Sequence, residues 1–137
     1  MNPLRRCISL ALPLAALGCT PPRPLLVPMR RIALPLRADR PAPLAIVMLP
    51  GAYSVPEDFV REGFVDALRA RRVPADVHLV DAHLGYFERG LLLERLMADV
   101  VDPLRAGGMR DLWFVGISLG GFAALAAALH RRADITG

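Results

Sequence analysis

The chain has 137 residues and a formal net charge of +4, and 54% of its residues are hydrophobic. This length suits one domain and excludes two large ones, while the hydrophobic content excludes a disordered or highly charged linker protein. All 17 cationic residues are arginines, and they are set against 13 carboxylates. The excess of positive charge is therefore small.

The first 18 residues have the layout of an export signal. Arg5 and Arg6 form a short basic start, and the 12 residues from 7 to 18 carry no charge. Crossing the hydrocarbon core requires about 20 residues, so this run is too short for a resident membrane span. Removal of residues 1–18 takes away two arginines and no acid, which lowers the net charge from +4 to +2. We therefore predict no nucleic-acid partner, because phosphate recognition relies on a concentrated basic patch.

The end of this run, Ala15-Ala16-Leu17-Gly18-Cys19, resembles the lipobox of bacterial lipoproteins, with Ala16 where leucine is commonest. In that motif the cysteine becomes the mature N-terminus and carries the lipid. The resemblance implies lipidation of Cys19 and an exported protein anchored to a membrane of a bacterial cell envelope. Two alternatives stay open, namely an ordinary cleaved signal on a periplasmic or secreted protein, and an N-terminal helix buried in the domain.

Residues 19–43 are predicted to form a spacer. Thr20-Pro21-Pro22-Arg23-Pro24 cannot form a continuous helix or a central strand, which is typical of a semi-rigid linker. Residues 29–36 predict a possible edge strand, because the prolines within and around them exclude a central one. The domain itself is predicted to cover residues 44–137.

Strands and helices alternate through that domain. Uninterrupted or nearly uninterrupted apolar runs predict core strands at residues 44–49, 75–81 and 112–115. The spacing of Ser54 and Glu57 is that of a capping box and predicts a helix to about Arg71. A second helix is predicted from Gly90 to Ala106, with Pro103 kinking its last turn. Residues 119–129 are almost entirely apolar, which predicts a helix buried on every side.

This order predicts an α/β fold in which a parallel sheet is flanked by helices on both faces, in three layers. Ligands of such sheets bind at the carboxyl ends of the strands. The chemistry is therefore expected in the turns that follow Leu49, Asp81 and Val115.

The turn after the third strand carries a motif. Gly116-Ile117-Ser118-Leu119-Gly120-Gly121 fits G-x-S-x-G between a strand and a helix, which is the context that supports a nucleophile elbow. Gly116 and Gly120 allow the sharp turn, and the helix N-terminus favours developing negative charge. A glycine-rich packing turn without chemistry is the alternative. The P-loop lysine is missing and the glycine spacing does not fit a dinucleotide site.

These residues resemble the α/β-hydrolase family, and the resemblance covers residues 44–137. It implies that Ser118 is the nucleophile and that the Leu119 N–H stabilises the oxyanion. The second N–H would come from Ala52 or Tyr53, in the turn that Gly51 opens. Members of the family often carry His-Gly where this chain has Pro50-Gly51.

The family order of the triad is serine, then acid, then histidine, and this chain does not complete it. After Ser118 it offers only His130 followed by Asp134, in the reverse order. His130 lies 12 residues along the predicted helix, roughly 18 Å from Ser118. His78 is predicted to be a strand residue and His83 a loop residue. Asp81, at a strand end, is a slightly better candidate for a catalytic group.

We therefore expect the chain to be the N-terminal portion of a domain that is incomplete at its C-terminus. The leading hypothesis is a membrane-anchored serine esterase or lipase whose acid and histidine lie beyond Gly137, so that this polypeptide has little or no activity alone. A thioesterase or acyltransferase fits the same residues. A non-catalytic lipoprotein with a binding or structural role is the alternative of another class. No His pair has metal-ligand spacing, and we predict no metal and no cofactor.

Overall fold

The structure is a computed structural model, and it describes residues 23–36 and 42–137. Cys19 and the predicted signal at residues 1–18 lie outside the described residues. Within the described part of the chain, no helix is both long and apolar enough to span a membrane.

Four strands form one mixed sheet in the order β1-β3-β2-β4. They are β1 (Arg31–Pro35), β2 (Leu44–Leu49), β3 (Ala75–Val80) and β4 (Asp111–Gly116). β2 pairs in parallel with both β3 and β4, whereas β1 pairs antiparallel with β3. The α/β class and the predicted edge strand are confirmed.

The three predicted core strands are parallel as expected, whereas the edge strand β1 makes the sheet mixed. The chain enters β1 at the carboxyl end of β3, where the Asp81 N–H donates to the Arg30 carbonyl oxygen at 2.9 Å. From that end β1 can only run back along its neighbour, so Arg31 pairs with Val80 and Pro35 with Asp76. An antiparallel edge strand on an otherwise parallel sheet is a common arrangement.

The predicted single helix after Ser54 is two short helices, α1 (Asp58–Arg61) and α2 (Phe64–Ala70). Gly63 separates them with a φ of 79°, a left-handed conformation that ends the first helix. The predicted capping box is also wrong. Asp58 rather than Ser54 caps this turn, since its Oδ2 accepts the Val55 N–H at 3.1 Å while its own N–H donates to the Val55 carbonyl oxygen at 3.0 Å.

Two further helical segments follow β3. α3 (Leu84–Glu88) was not predicted, and α4 (Leu92–Leu96) continues through a π-helical turn (Met97–Val101) into α5 (Asp102–Ala106). The predicted kink at Pro103 takes the form of this π turn, after which Pro103 stands in the first turn of α5. A proline is tolerated there because it has no N–H to leave unpaired.

The side chains of β2 alternate between two apolar clusters on opposite faces of the sheet, which is the period of a strand buried on both faces. Ala45, Val47 and Leu49 belong to a cluster that contains buried residues of α4, α5 and the helix after β4. Ile46 and Met48 belong to a second cluster, with Phe59 of α1 and Val65 of α2.

The last helix, α6 (Leu119–His130), is not buried on every side as predicted. Its small residues Ala123 and Ala127 face the sheet and are fully buried. Its large residues Phe122, Leu125 and Leu129 are exposed. The sequence pattern is misleading because alanine and leucine are both apolar, yet only the small residues of α6 pack against the sheet.

Candidate active site

The turns that follow the three parallel strands meet at one edge of the sheet, here called the carboxyl edge. β2 ends before Pro50 and Gly51, β3 ends before Asp81, and β4 ends before Ile117 and Ser118. β2 lies between β3 and β4 in the sheet. The turn after β2 therefore has the turns after β3 and β4 on its two sides. The prediction that chemistry should be sought at these three turns therefore concerns a single region of the molecule.

Ser118 stands at the tip of the turn between β4 and α6 in a strained conformation. Its φ is 54° and its ψ is −118°, and a positive φ is uncommon for any residue other than glycine. Its residue surface is exposed, and its side chain makes no capping hydrogen bond to the helix that follows. Ser118 is therefore an exposed residue whose backbone has a positive φ, a conformation that residues with a side chain rarely adopt.

Gly116 and Gly120 close the turn by direct contact between backbones. A β-carbon at Gly116 would overlap the main chain of Gly120, and a β-carbon at Gly120 would overlap the carbonyl group of Leu49. The Ile117 N–H donates to that same Leu49 oxygen at 3.1 Å, which ties the turn to the end of β2. Both glycines are thus sterically required, as the sequence motif implies.

Gly51 is different from these two glycines. A β-carbon there would lie 3.8 Å from the β-carbon of Ser118 and 3.5 Å from the Ser54 Oγ, and both are ordinary contacts. The distance nevertheless establishes that the turn after β2 runs directly beside Ser118. The structure brings together the two turns on which the predicted oxyanion hole depends.

Three backbone N–H groups lie at the two turns of the predicted oxyanion hole. Among the described residues, no acceptor takes a hydrogen bond from the N–H of Leu119, Ala52 or Tyr53. Leu119 is also the first residue of α6, whose 12 residues align their peptide dipoles with the positive end at this turn. Unpaired N–H groups at a helix N-terminus can hold developing negative charge.

A cleft of about 230 Å³ opens beside the elbow, between the turn after β2 and the helix pair α1 and α2. Phe59 and Phe64 form an apolar wall, with their rings in an edge-to-face arrangement at 5.6 Å. The cleft is also lined by Gly51, Ser54 and Ile117. Ile117 is the residue before Ser118, which itself does not line the cleft. An apolar wall with a few polar groups is typical of small-molecule sites.

None of the three described imidazoles makes a hydrogen bond to Ser118. His78 lies in β3 and is buried among apolar residues, and burial, with a smaller effect of Arg31, lowers its pKa to about 4. His130 is the last residue of α6, 12 residues from Ser118. These findings confirm the predicted positions of both histidines, in a strand and at a helix end.

His83 was predicted in a loop, and the structure assigns it a capping role at the start of α3. Its Nδ1 accepts the Gly85 N–H at 3.2 Å, and its ring packs on Tyr86 with the centroids 4.7 Å apart. Burial, followed by the charge of Arg23, lowers its pKa. It belongs to the turn after β3, which lies two strands away from β4 in the sheet, and it makes no hydrogen bond to Ser118.

Asp81 forms an ion pair with Arg23, a residue of the predicted spacer. The Arg23 Nη1 lies 2.7 Å from the Asp81 Oδ1, and the Arg23 Nη2 donates to the Ser54 carbonyl oxygen at 3.1 Å. Arg23 thereby joins the turn after β3 to the turn after β2. The sequence holds no signal for this contact, because the partners are 58 and 31 residues away.

Within the described residues, no group of three or more His, Cys, Asp or Glu side chains could hold a metal ion. In the comparisons with known proteins, no protein-family model matches this chain, and a search of the curated proteins finds no match.

Proposed function

We propose that this chain carries the nucleophile of a serine hydrolase of the α/β-hydrolase type, which acts on carboxylic esters and is held at a membrane by a lipid on Cys19. The observation that carries the proposal is the backbone of Ser118, strained at φ 54° between two glycines that can bear no side chain. A strained residue of this kind costs about 1–3 kcal/mol and is concentrated at functional sites.

The proposed chemistry uses the groups at the carboxyl edge. Ser118 Oγ attacks the ester carbonyl carbon, a base accepts the hydroxyl proton, and the alcohol leaves with a proton returned by that base. The oxyanion of the intermediate accepts hydrogen bonds from the Leu119 N–H and from the N–H of Ala52 or Tyr53. Water then hydrolyses the acyl-serine by the same steps. The amides on both turns donate to no described residue, which supports this assignment.

The finer fold belongs to the same proposal. The two apolar clusters on opposite faces of β2 support a three-layer α/β-hydrolase domain. Thr136 and Gly137 make hydrogen bonds of 2.7 Å to Leu112 and Phe114 along the outer edge of β4. These bonds support a sheet that continues with residues after Gly137, and we propose that the catalytic acid and histidine come from there. By itself this polypeptide is expected to give little or no ester turnover, because an unactivated serine is a poor nucleophile.

The test is covalent labelling with a fluorophosphonate probe. The protein is extracted by detergent from its native membranes, labelled and digested with trypsin. Cleavage after Arg110 and Arg131 releases a peptide in which Ser118 is the single residue bearing a hydroxyl group, so a mass increase on that peptide assigns the site. Ser54 lies in a different peptide, which serves as an internal control. We expect labelling of the Ser118 peptide, and its loss in Ser118→Ala.

An unlabelled Ser118 peptide, in an extract whose other serine hydrolases are labelled, overturns the enzymatic proposal. The observation that no described imidazole makes a hydrogen bond to Ser118 would then favour a non-catalytic lipoprotein with a binding or structural role. A labelled Ser118 leaves esterase, thioesterase and acyltransferase activities to be separated by their acyl acceptors and donors.

A further inference from the structure

The residues before β1 form a strap, residues 23–30, that is fixed along its length. The Leu26 N–H donates to the Tyr86 Oη at 3.0 Å, and that hydroxyl donates to the Leu26 carbonyl oxygen at 2.8 Å. Farther along, the Met29 N–H donates to the Asp99 carboxylate at 2.8 Å, and Arg95 also binds this carboxylate. The strap is therefore part of the folded domain and does not behave as a free spacer.

The strap begins at the carboxyl edge. Arg23, its first residue, bonds to Asp81 after β3 and to the Ser54 carbonyl oxygen after β2. The side chains of Arg23 and Asp81 are 29% and 13% exposed, so water only partly screens this pair. The described part of the chain thus begins on the same side of the domain as Ser118 and the cleft.

Arg23 is only four positions after Cys19, with three residues between them. Even fully extended, four residues span at most about 14 Å. A lipid on Cys19 places that residue at the membrane surface, so the carboxyl edge cannot lie farther than roughly this distance from the bilayer. The strands extend about 17 Å away from that edge, which leaves the opposite edge of the sheet as the distal one.

The two edges differ in the apolar surface that they expose, and both carry charge, with Arg30 and Glu57 paired at the carboxyl edge. Large apolar side chains are exposed around the carboxyl edge, including the 85% exposed Tyr53. The others there are Leu26, Val27, Ile117 and Phe122. At the opposite edge the exposed side chains include the charged Arg71, Arg72, Arg110 and Asp111, together with the apolar Leu129 at the end of α6. Aromatic and aliphatic side chains of the first kind are those that enter a lipid interface.

We propose that the carboxyl edge is the membrane-facing surface of this protein, and that the substrate is an amphiphilic ester which reaches Ser118 from the bilayer. Both halves of this inference rest on the proposed function, the orientation on the lipid at Cys19 and the substrate on Ser118. A substrate that diffuses within the bilayer can enter such a site directly, because the side chains around the site are apolar. The short chain between Cys19 and Arg23 also keeps the carboxyl edge near the membrane. The occupant of the apolar rim is thus a lipid surface.

The orientation is tested with the acylated full chain in vesicles of phosphatidylethanolamine and phosphatidylglycerol. Once residues 1–18 are removed and Cys19 is acylated, no free thiol is left, so a single new cysteine can carry a fluorophore. We compare Tyr53→Cys at the carboxyl edge with Arg110→Cys at the opposite edge, using lipids that bear a quencher on the headgroup. Quenching is expected to be several-fold stronger at position 53.

Equal quenching at the two positions, or stronger quenching at position 110, overturns the orientation, and so does an intact mass without acyl groups on Cys19. Arg23→Ala in the Tyr53→Cys chain is expected to weaken the quenching, because the tether is then no longer fixed at the edge. The exposed Arg132→Ala is the matched control and is expected to leave quenching unchanged.

The substrate is tested on the native protein, with a long-chain ester presented in vesicles and a short-chain soluble ester. A several-fold preference for the vesicle-borne ester is expected, and no preference overturns the substrate class. Strong quenching at position 53 with an unlabelled Ser118 supports the membrane-facing edge while the amphiphilic substrate falls with the hydrolase. A labelled Ser118 with equal quenching overturns the orientation and leaves the hydrolase standing.

Discussion

The α-carbon of Gly120 lies so close to the carbonyl group of Leu49 that a β-carbon at position 120 would overlap that group. Gly120→Ala is therefore expected to lower the free energy of unfolding by about 3 kcal/mol, the upper end for an overpacked site. Gly51→Ala is the matched control, since its added methyl would meet only ordinary contacts. Urea denaturation of the two variants checks the difference. Equal stability of the two would contradict the packing of this turn.

The strain at Ser118 predicts an unusual order of stability. Glycine adopts positive φ readily whereas alanine does not, so Ser118→Gly relieves the strain at φ 54° and Ser118→Ala keeps it. We expect the glycine variant to be more stable than the alanine variant by about 1 kcal/mol. Urea midpoints of both proteins give the comparison. A more stable alanine variant would mean that the turn relaxes in solution to an ordinary φ.

Much of the fold could be predicted from local patterns. The runs at 44–49, 75–81 and 112–115 match β2, β3 and β4 because strands buried on both faces are continuous apolar runs. The motif at Gly116 and Gly120 could be recognised because a β-carbon at either position would overlap neighbouring backbone, so only glycine fits there. The direction of β1 could not be predicted, since it depends on where residues 23–30 enter the sheet.

The rest of the site depends on contacts that no local pattern records. Arg23 meets Asp81 and Ser54 across 58 and 31 residues, and a Pro-rich context indicated a spacer there. The capping box does not form because the Ser54 N–H donates to the Gly51 carbonyl oxygen and Arg30 binds the Glu57 carboxylate, while Asp58 accepts the Val55 N–H. Two competing caps of similar chemistry cannot be separated by spacing alone.

Buried His78 predicts a loss of stability in mild acid. Its pKa is about 4 in the folded chain and near 6.5 when unfolded, so the unfolded state binds the proton more tightly between these values. The free energy of unfolding therefore keeps its full value with respect to His78 above pH 6.5, and it decreases as the pH falls toward 4. Between pH 7 and pH 5 the loss is expected to be about 2 kcal/mol, measured by urea denaturation at both values.

A matched pair of variants isolates this effect. His78→Leu removes the titrating group and is expected to lose most of the difference between pH 7 and pH 5. His130→Gln, at the exposed end of α6, is expected to retain it. A His78→Leu chain with the same acid sensitivity as the wild type would assign that sensitivity to other groups.

The strap predicts a local effect of Tyr86→Phe. The Tyr86 hydroxyl makes two hydrogen bonds to the backbone of Leu26, and their loss is expected to cost about 1–2 kcal/mol. Hydrogen exchange should increase at residues 25–27 while β2 and β3 stay protected, because the sheet does not depend on this hydroxyl. An increase in hydrogen exchange spread evenly over the sheet would contradict the expectation that the strap can loosen without the sheet.

The exposed face of α6 predicts that charge is tolerated where the sequence pattern would forbid it. Leu129 is 71% exposed whereas Ala127, two residues earlier, is 0% exposed. Leu129→Glu is expected to change the free energy of unfolding by no more than about 0.5 kcal/mol and to raise solubility, because it interrupts an apolar patch. Ala127→Glu buries an unpaired carboxylate against the sheet and is expected to unfold the domain. Circular dichroism with urea denaturation separates the two outcomes, and a strongly destabilised Leu129→Glu chain would mean that α6 packs on this face in solution.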